Sequence, residues 1–121
     1  MSRGDFNYIP VNQTLNANNP VVEIDFPIVV GDGRTISDDG YLLITVRSVD
    51  AQSHRIRINN RELGGFDVPL PPDNSDAWFT YMDRIEPGVL RPGINELQIR
   101  RIGDDNFVVR DMVIHWRERP S

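Results

Sequence analysis

His54 and His115 are the two histidines of the chain, the residue type whose charge changes nearest neutral pH. They are far apart in sequence, and each stands at or beside an expected strand. A lone imidazole there is ordinarily a surface or hydrogen-bonded polar group. Ser48, Ser53 and Ser75 offer hydroxyls to pair with a histidine, but none lies in the strand-to-helix elbow that activates a nucleophilic serine. Thirteen aspartates supply many carboxylate pairs suited to glycoside hydrolysis, and that abundance empties any single choice of meaning. There is no cysteine, which excludes disulfides, thiolate metal sites and thiol nucleophiles. No motif with a catalytic mechanism is present, so the chain reads as non-catalytic.

Binding chemistry is better represented. Trp78 and Tyr81 are candidates for stacking on the face of a sugar ring, with one of them expected in the core. Arg47, Arg55, Arg57 and Arg100 fall on the outward phases of three expected strands. If those strands are neighbours, the guanidinium groups form a face able to grip carboxylates or a partner chain. The competing expectation is a set of exposed ion pairs with Glu23, Asp25 and Glu96, each worth little. Asp104, Asp105 and Asn106, and the Asp73-Asn74-x-Asp76 run, present hard oxygen donors of the kind Ca²⁺ takes. The same residues are ordinary turn formers, so no cofactor is required and a structural Ca²⁺ is the ion these donors suit. Arg3-Gly4-Asp5 and Asn12-Gln13-Thr14 match short recognition and glycosylation patterns, which occur often by chance.

Composition narrows the partners. The chain carries 13 basic and 18 acidic residues, a formal charge of −5, and every basic residue is arginine. That balance argues against general nucleic-acid binding, which needs a net basic footprint. No apolar run approaches membrane-spanning length, and the N-terminus lacks the apolar core of a secretory signal. The compartment is left open. At 121 residues the chain suits one domain, large enough to bury about 65% of its unfolded surface without staples.

The elements that must position these groups read as short strands. From Leu90 to Trp116 the pattern is two strands, entered through the Pro92-Gly93 corner and joined by a hairpin turn at 103–106. Leu97 and Ile99 share one face, with Glu96, Gln98 and Arg100 on the other. In the last strand, Phe107 and Val109 lie on the opposite phase from Met112, Ile114 and Trp116. Either both faces of this run are largely buried, or a bulge near Arg110-Asp111 switches phase; the bulge is favoured, because it buries the three larger groups and leaves His115 outside. Upstream, Val22 to Val30 alternates with Glu23 and Asp25 as a half-buried strand. Tyr41 to Val49 suits a central strand with Leu42, Ile44 and Val46 on one face. Ile56 and Ile58 point inward between Arg55 and Arg57. The breaker clusters Gly31-Asp32-Gly33, Asp38-Asp39-Gly40 and Gly64-Gly65 separate these runs. Val68 to Asn74 is extended and Pro-rich, and Ala77 to Met82 is an aromatic strand of ambiguous phase. Residues 1–20 are polar and Asn-rich, expected as an arm or short edge strand before a single domain over 21–119. No helical period persists, so the class is all-β: an antiparallel β-sandwich of about seven to nine strands.

The run Ile58-Asn59-Asn60, Leu63-Gly64, the aromatic strand, Leu90-x-x-Gly93-x-Asn95-x-Leu97-x-Ile99 and the closing strand Phe107 to Trp116 resembles the galactose-binding-like jelly-roll superfamily. It departs at Asn60, where that superfamily commonly has glycine. The resemblance covers about half the chain. It implies a jelly-roll sandwich used for non-catalytic binding, through loops at one end or across one sheet face; Asn95 would satisfy loop backbone groups and Gly93 would let the corner close. The function expected is a binding module for a carbohydrate or surface polymer. The alternative is a structural or assembly protein, a subunit or accessory domain that uses a sheet edge or the Arg face for protein contact, including self-association as a homo-oligomer. A preformed concavity holding His54 or His115 beside an acidic side chain would count against this reading.

Overall fold

The computed structural model describes residues 3–48, 55–63, 77–101 and 106–120. Eight strands are seen among them: β1 (Arg3–Leu15), β2 (Val21–Ile28), β3 (Arg34–Arg47), β4 (Arg55–Ile58), β5 (Arg61–Glu62), β6 (Phe79–Ile85), β7 (Gly93–Arg100) and β8 (Phe107–Pro120). They build two four-stranded antiparallel sheets, a first ordered β1-β8-β3-β6 and a second ordered β2-β7-β4-β5. No helix is found among the described residues. The class is the all-β sandwich expected from the alternating pattern, and the strand order is that of a jelly roll.

The core lies between the sheets. Leu42, Ile44 and Val46 of β3, Ile56 and Ile58 of β4, and Leu97 and Ile99 of β7 are buried in it. Each run alternates with exposed or half-buried neighbours at the strand period of two. Strand β8 keeps Phe107, Val109, Met112, Ile114 and Trp116 all buried. It does so because Asp111 takes φ = 52° and the pairing with β3 shifts register between Ile44 and Thr45. One extra residue in β8 flips the phase, so the bulge read from the sequence is the device used. His115 stands on the outward phase, half-buried.

Three expectations are corrected. β7 and β8 do not form a hairpin: β7 pairs with β2 and β4 while β8 pairs with β1 and β3, so the chain crosses from one sheet to the other. Both strands lie inside their sheets, flanked on each side, and the period-two pattern is the same for a hairpin as for a crossing. The Asp38-Asp39-Gly40 cluster does not end a strand either. It is a bulge inside β3, with Asp38 at φ = 60° and a register shift between Ser37 and Tyr41. Gly40 is needed there, because a Cβ at that position would lie 2.7 Å from the His115 carbonyl oxygen. Residues 1–20 supply a 13-residue edge strand, longer than the arm or short strand expected, with Ile9 and Leu15 in the core. The Arg3-Gly4-Asp5 run is absorbed in its pairing with β8. The Gly64-Gly65 and 68–74 segments lie outside the described residues.

Two polar knots hold the ends of the sandwich. Asn59 and Asn60, at φ = 52° and 66°, form the turn from β4 to β5 with both central residues left-handed. Asn59 Nδ2 donates to Asn95 Oδ1 (2.8 Å) and to the Val89 carbonyl (2.9 Å), and its Oδ1 accepts from Glu96 N–H (3.0 Å). Fully buried Asn95 accepts from Arg91 N–H (3.0 Å) and donates to the carbonyls of Arg91 (2.8 Å) and Gly93 (3.2 Å). Gly93 takes φ = 90° to close that corner. At the other knot, buried Glu118 accepts from Trp116 Nε1 (3.0 Å), Gly31 N–H (3.3 Å) and Arg3 (3.3 Å), and lies 3.5 Å from Arg34 Nε. That carboxylate ties β1, β3 and β8 to the turn after β2.

Replacing buried Asn95 by Ala removes its bonds to Arg91, Gly93 and Asn59 together, and urea unfolding should show a loss of about 2–4 kcal/mol. For Glu118, burial opposes ionisation, but the bonds from Trp116, Gly31 and Arg3 outweigh it and hold the carboxyl below its ordinary value of 4.5. A lowered folded-state pKa means the ionised group stabilises fully above that ordinary value and loses its contribution as pH falls below it. Glu118→Gln should therefore cost about 2 kcal/mol near neutral pH. The gap from wild type should narrow in thermal melts taken below pH 4.5.

Candidate functional site

The outer wall of the first sheet is where side chains gather that neither the core nor the knots use. Register places them in rows. Tyr8, Val113, Leu43 and Met82 are cross-strand neighbours, and Phe6, His115, Tyr41 and Arg84 form the adjacent row. Phe6 is 65% exposed, Tyr8 52% and Met82 65%. Tyr8 and Met82, at the two ends of this apolar row, are open to solvent, and Val113 and Leu43 between them are half-buried.

Several contacts fix this wall before any ligand arrives. Tyr8 OH donates to Asp111 Oδ1 at 2.6 Å, a bond that holds the tyrosine proton and raises its pKa above the ordinary 10.0. Asp111 is the bulge residue itself, so the turn that sorts the core also anchors the ring outside. Arg84 donates twice to Asp39, at 2.8 and 2.9 Å, and this pair lowers the Asp39 pKa. The Tyr41 and His115 rings are tilted against each other with centroids 6.2 Å apart. His115 lies over Gly4: a Cβ there would come within 2.8 Å of Nε2, so only glycine leaves the imidazole its place.

Beside these rows opens a groove of about 260 Å³ lined by Asp38, Asp39, Tyr41, His115 and Arg117. Hydrogen-bond donors and acceptors thus border aromatic rings on one rigid wall. Such rings offer an apolar stacking surface beside a polar rim that can fix a ligand's orientation. The groove does set His115 beside acidic groups, the feature named above as counting against a binding wall. Asp39, however, is engaged by Arg84, and the groove is an open furrow on the outside of an intact sandwich. A second concavity, about 300 Å³, runs along β1 and β2 past Asn12, Gln13, Asn19 and Glu23 and has no aromatic side chain in its lining.

The sequence candidates are placed as follows. Trp78 and Tyr81 do not form one platform. Tyr81 faces the interior, packed on the core, with its ring stacked on Phe79 at 6.3 Å. Trp78 packs against the outer-wall guanidinium of Arg110 (4.1 Å) and lies 5.7 Å from that of Arg47. Arg47 therefore belongs to the first sheet, apart from Arg55, Arg57 and Arg100, which share the outer wall of the second. Of the oxygen donors considered for Ca²⁺, Asp104 and Asp105 lie outside the described residues, as do Asp73, Asn74 and Asp76; Asn106 accepts from Arg101 at 2.8 Å. No metal-ligating cluster is found among the described residues. His54, Ser53 and Ser75 also fall outside them. Sequence reasoning passed over Phe6, Tyr8 and Tyr41. The available signal was that large aromatic residues occupy the outward phase of their strands.

Comparison with known proteins supports the fold. Residues 3–118 match a protein family whose function is unknown. No curated protein matches the sequence. Among solved structures, latent PorU from Porphyromonas gingivalis superposes with a TM-score of 0.61 at 9% identity, over 96% of this chain and 12% of its own. The β-porphyranase BpGH86A from Bacteroides plebeius gives 0.52 at 14% identity, over 93% of this chain and 21% of its own. The CBM36-1 domain of a multidomain xylanase from the hindgut metagenome of Trinervitermes trinervoides gives 0.50 at 10% identity, over 91% of this chain and 96% of that domain. The chain thus spans only about an eighth of PorU and a fifth of the porphyranase. At these identities the likeness is one of fold: a two-sheet jelly-roll β-sandwich, shared along nearly the full length of the CBM36-1 domain.

If Gly4 exists to admit His115, then Gly4→Ala should displace the imidazole while leaving the sandwich folded. The histidine Cε1–H and Cδ2–H resonances should shift in the NMR spectrum, with a far-UV circular dichroism trace like wild type.

Proposed function

The chain belongs to DUF7383, a family of unknown function, and we propose that it is a non-catalytic module that binds a carbohydrate polymer across the outer wall of its first sheet. The observation that carries this reading is the pair of solvent-open rings, Phe6 and Tyr8, on the same wall as Tyr41 and the polar groove of Asp38, His115 and Arg117. An open wall of antiparallel strands suits an extended chain better than a small enclosed ligand. Tyr8 is held by Asp111 and Tyr41 packs beside His115, so little side-chain freedom is lost on binding.

The test is a glycan array, together with pull-down on insoluble polysaccharides, using wild type, Phe6→Ala/Tyr8→Ala and Trp78→Ala. Wild type should bind at least one polysaccharide. The double variant should weaken that binding at least tenfold, about 1.4 kcal/mol. Trp78→Ala should have the smaller effect, because Arg110 already packs against its ring. Wild-type binding to no glycan, or full binding by the double variant, would remove the reading.

The apolar row Tyr8-Val113-Leu43-Met82 also favours a second reading, in which this wall meets another protein surface as part of an assembly. Light scattering across a concentration series separates the two. A defined oligomer abolished by Met82→Arg, with no glycan bound, would support assembly.

A further inference from the structure

The opposite wall of the molecule carries an arrangement that the aromatic wall does not explain. Arg55 of β4 and Arg100 of β7 are direct register partners. Facing residues in an antiparallel pair have Cα atoms about 4.5–5.5 Å apart, and like charges there repel. Arg57 projects from the same wall one pleat along β4, opposite Gln98 on one side and Glu62 on the other. Glu62 is shared by Arg55 (3.3 Å) and Arg57 (3.5 Å). Among the described residues no carboxylate lies within ion-pair distance of Arg100. These three guanidinium groups thus have, among the described residues, one carboxylate, Glu62, within ion-pair distance.

Among the described residues, the acids expected to neutralise them make no ion pair with them. Glu23 accepts from Gln98 at 3.0 Å. Asp25 and Glu96 face each other in the pairing of β2 with β7, four residues along the strands from the Arg100 row. At about 3.4 Å per residue that is roughly 13–14 Å, beyond the screening length of about 8 Å at physiological salt. Glu23 stands in the Arg57 row, one strand beyond Gln98, and Glu96 lies two residues from that row, so the facing Arg55–Arg100 pair is the row farther from Asp25 and Glu96. Arg55 and Arg57 keep 55% and 39% of their side-chain surface open to solvent, and Arg100 is exposed.

We propose that the Arg55–Arg100 pair, with Arg57 beside it, is a binding site for the carboxylate or sulfate groups of an acidic polysaccharide. Guanidinium groups donate in forks that match either oxyanion, and a bound anion would turn the facing repulsion into a bridge. Because the net charge of the chain is −5, a polyanion is repelled by the molecule as a whole and is held only where this local excess of arginine meets it. The site is on the wall opposite Phe6 and Tyr8, so it stands whether or not that surface binds a glycan.

Affinity gel electrophoresis of the full chain at 50 mM salt, with polygalacturonate, dextran sulfate or neutral dextran cast in the gel, tests this directly. Wild type should be retarded by polygalacturonate, by dextran sulfate or by both, and not by dextran; the two polyanions separate carboxylate from sulfate recognition. Arg55→Gln/Arg100→Gln should weaken the retardation at least tenfold. Arg119→Gln, a neutralisation elsewhere, should leave it within twofold. Arg100→Lys, which keeps the charge and loses the fork, should fall between. All four are surface changes, and thermal melts of each variant verify folding. No retardation of wild type by either polyanion would overturn the proposal, and so would equal losses from Arg119→Gln and the double variant. Phe6→Ala/Tyr8→Ala should bind these polyanions like wild type, so failure here is distinct from failure of the aromatic wall.

Discussion

One extra residue in one strand governs this molecule. β8 runs between β1 and β3 and must present bulky groups to the core along its length, yet its sequence changes phase midway. Asp111, in the left-handed region, absorbs the change. Without it either Phe107 and Val109 or Met112, Ile114 and Trp116 would face water. The shift passes to both neighbours. β3 steps between Ile44 and Thr45, and β1 steps between Ile9 and Asn12, where Pro10 can sit because a bulge does not require its missing N–H. The residue that sorts the interior also builds the exterior: Val113 and His115 face outward because their neighbours face inward, and the Asp111 carboxylate holds Tyr8.

Asn95 and Glu118, buried inside the sandwich, serve its joints. Asn59 and Asn95 fasten the β4–β5 turn to the corner leading into β7, and Glu118 gathers donors from β1, β8 and the turn after β2. In each case a buried acceptor is surrounded by several donors, the condition under which burying it is tolerable. These joints allow the sheets to be held at their ends while the outer walls stay open. Both walls carry an excess of unusual residues, aromatic on one and arginine on the other. The sandwich keeps them on opposite sides, so each can meet a ligand without the other.

Much of this was legible in the chain. Alternation named the strands and their inward faces, since a strand with one side in water must alternate. The Phe107-to-Trp116 phase conflict favoured a bulge near Arg110-Asp111, because a straight strand with one face in water cannot bury all five large groups. Asn95 and Gly93 declared their roles by chemistry: a side chain that bonds local backbone, and a residue free to take positive φ. At Asn60 the departure from glycine is tolerated because asparagine also enters the left-handed region.

Partnership was not legible. The pattern of β7 and β8 is the same whether they pair with each other or join different sheets, since periodicity records which side is buried and not which strand lies alongside. The same limit applies to the arginines, where register alone set Arg55 opposite Arg100 and sent Arg47 to the other wall. It applies equally to Phe6, Tyr8 and Tyr41, distant in sequence and brought onto one surface by the order β1-β8-β3-β6. Local chemistry determined what each segment becomes; long-range pairing decided which segments meet, because that choice depends on the summed contacts of the whole sandwich and is written in no single stretch.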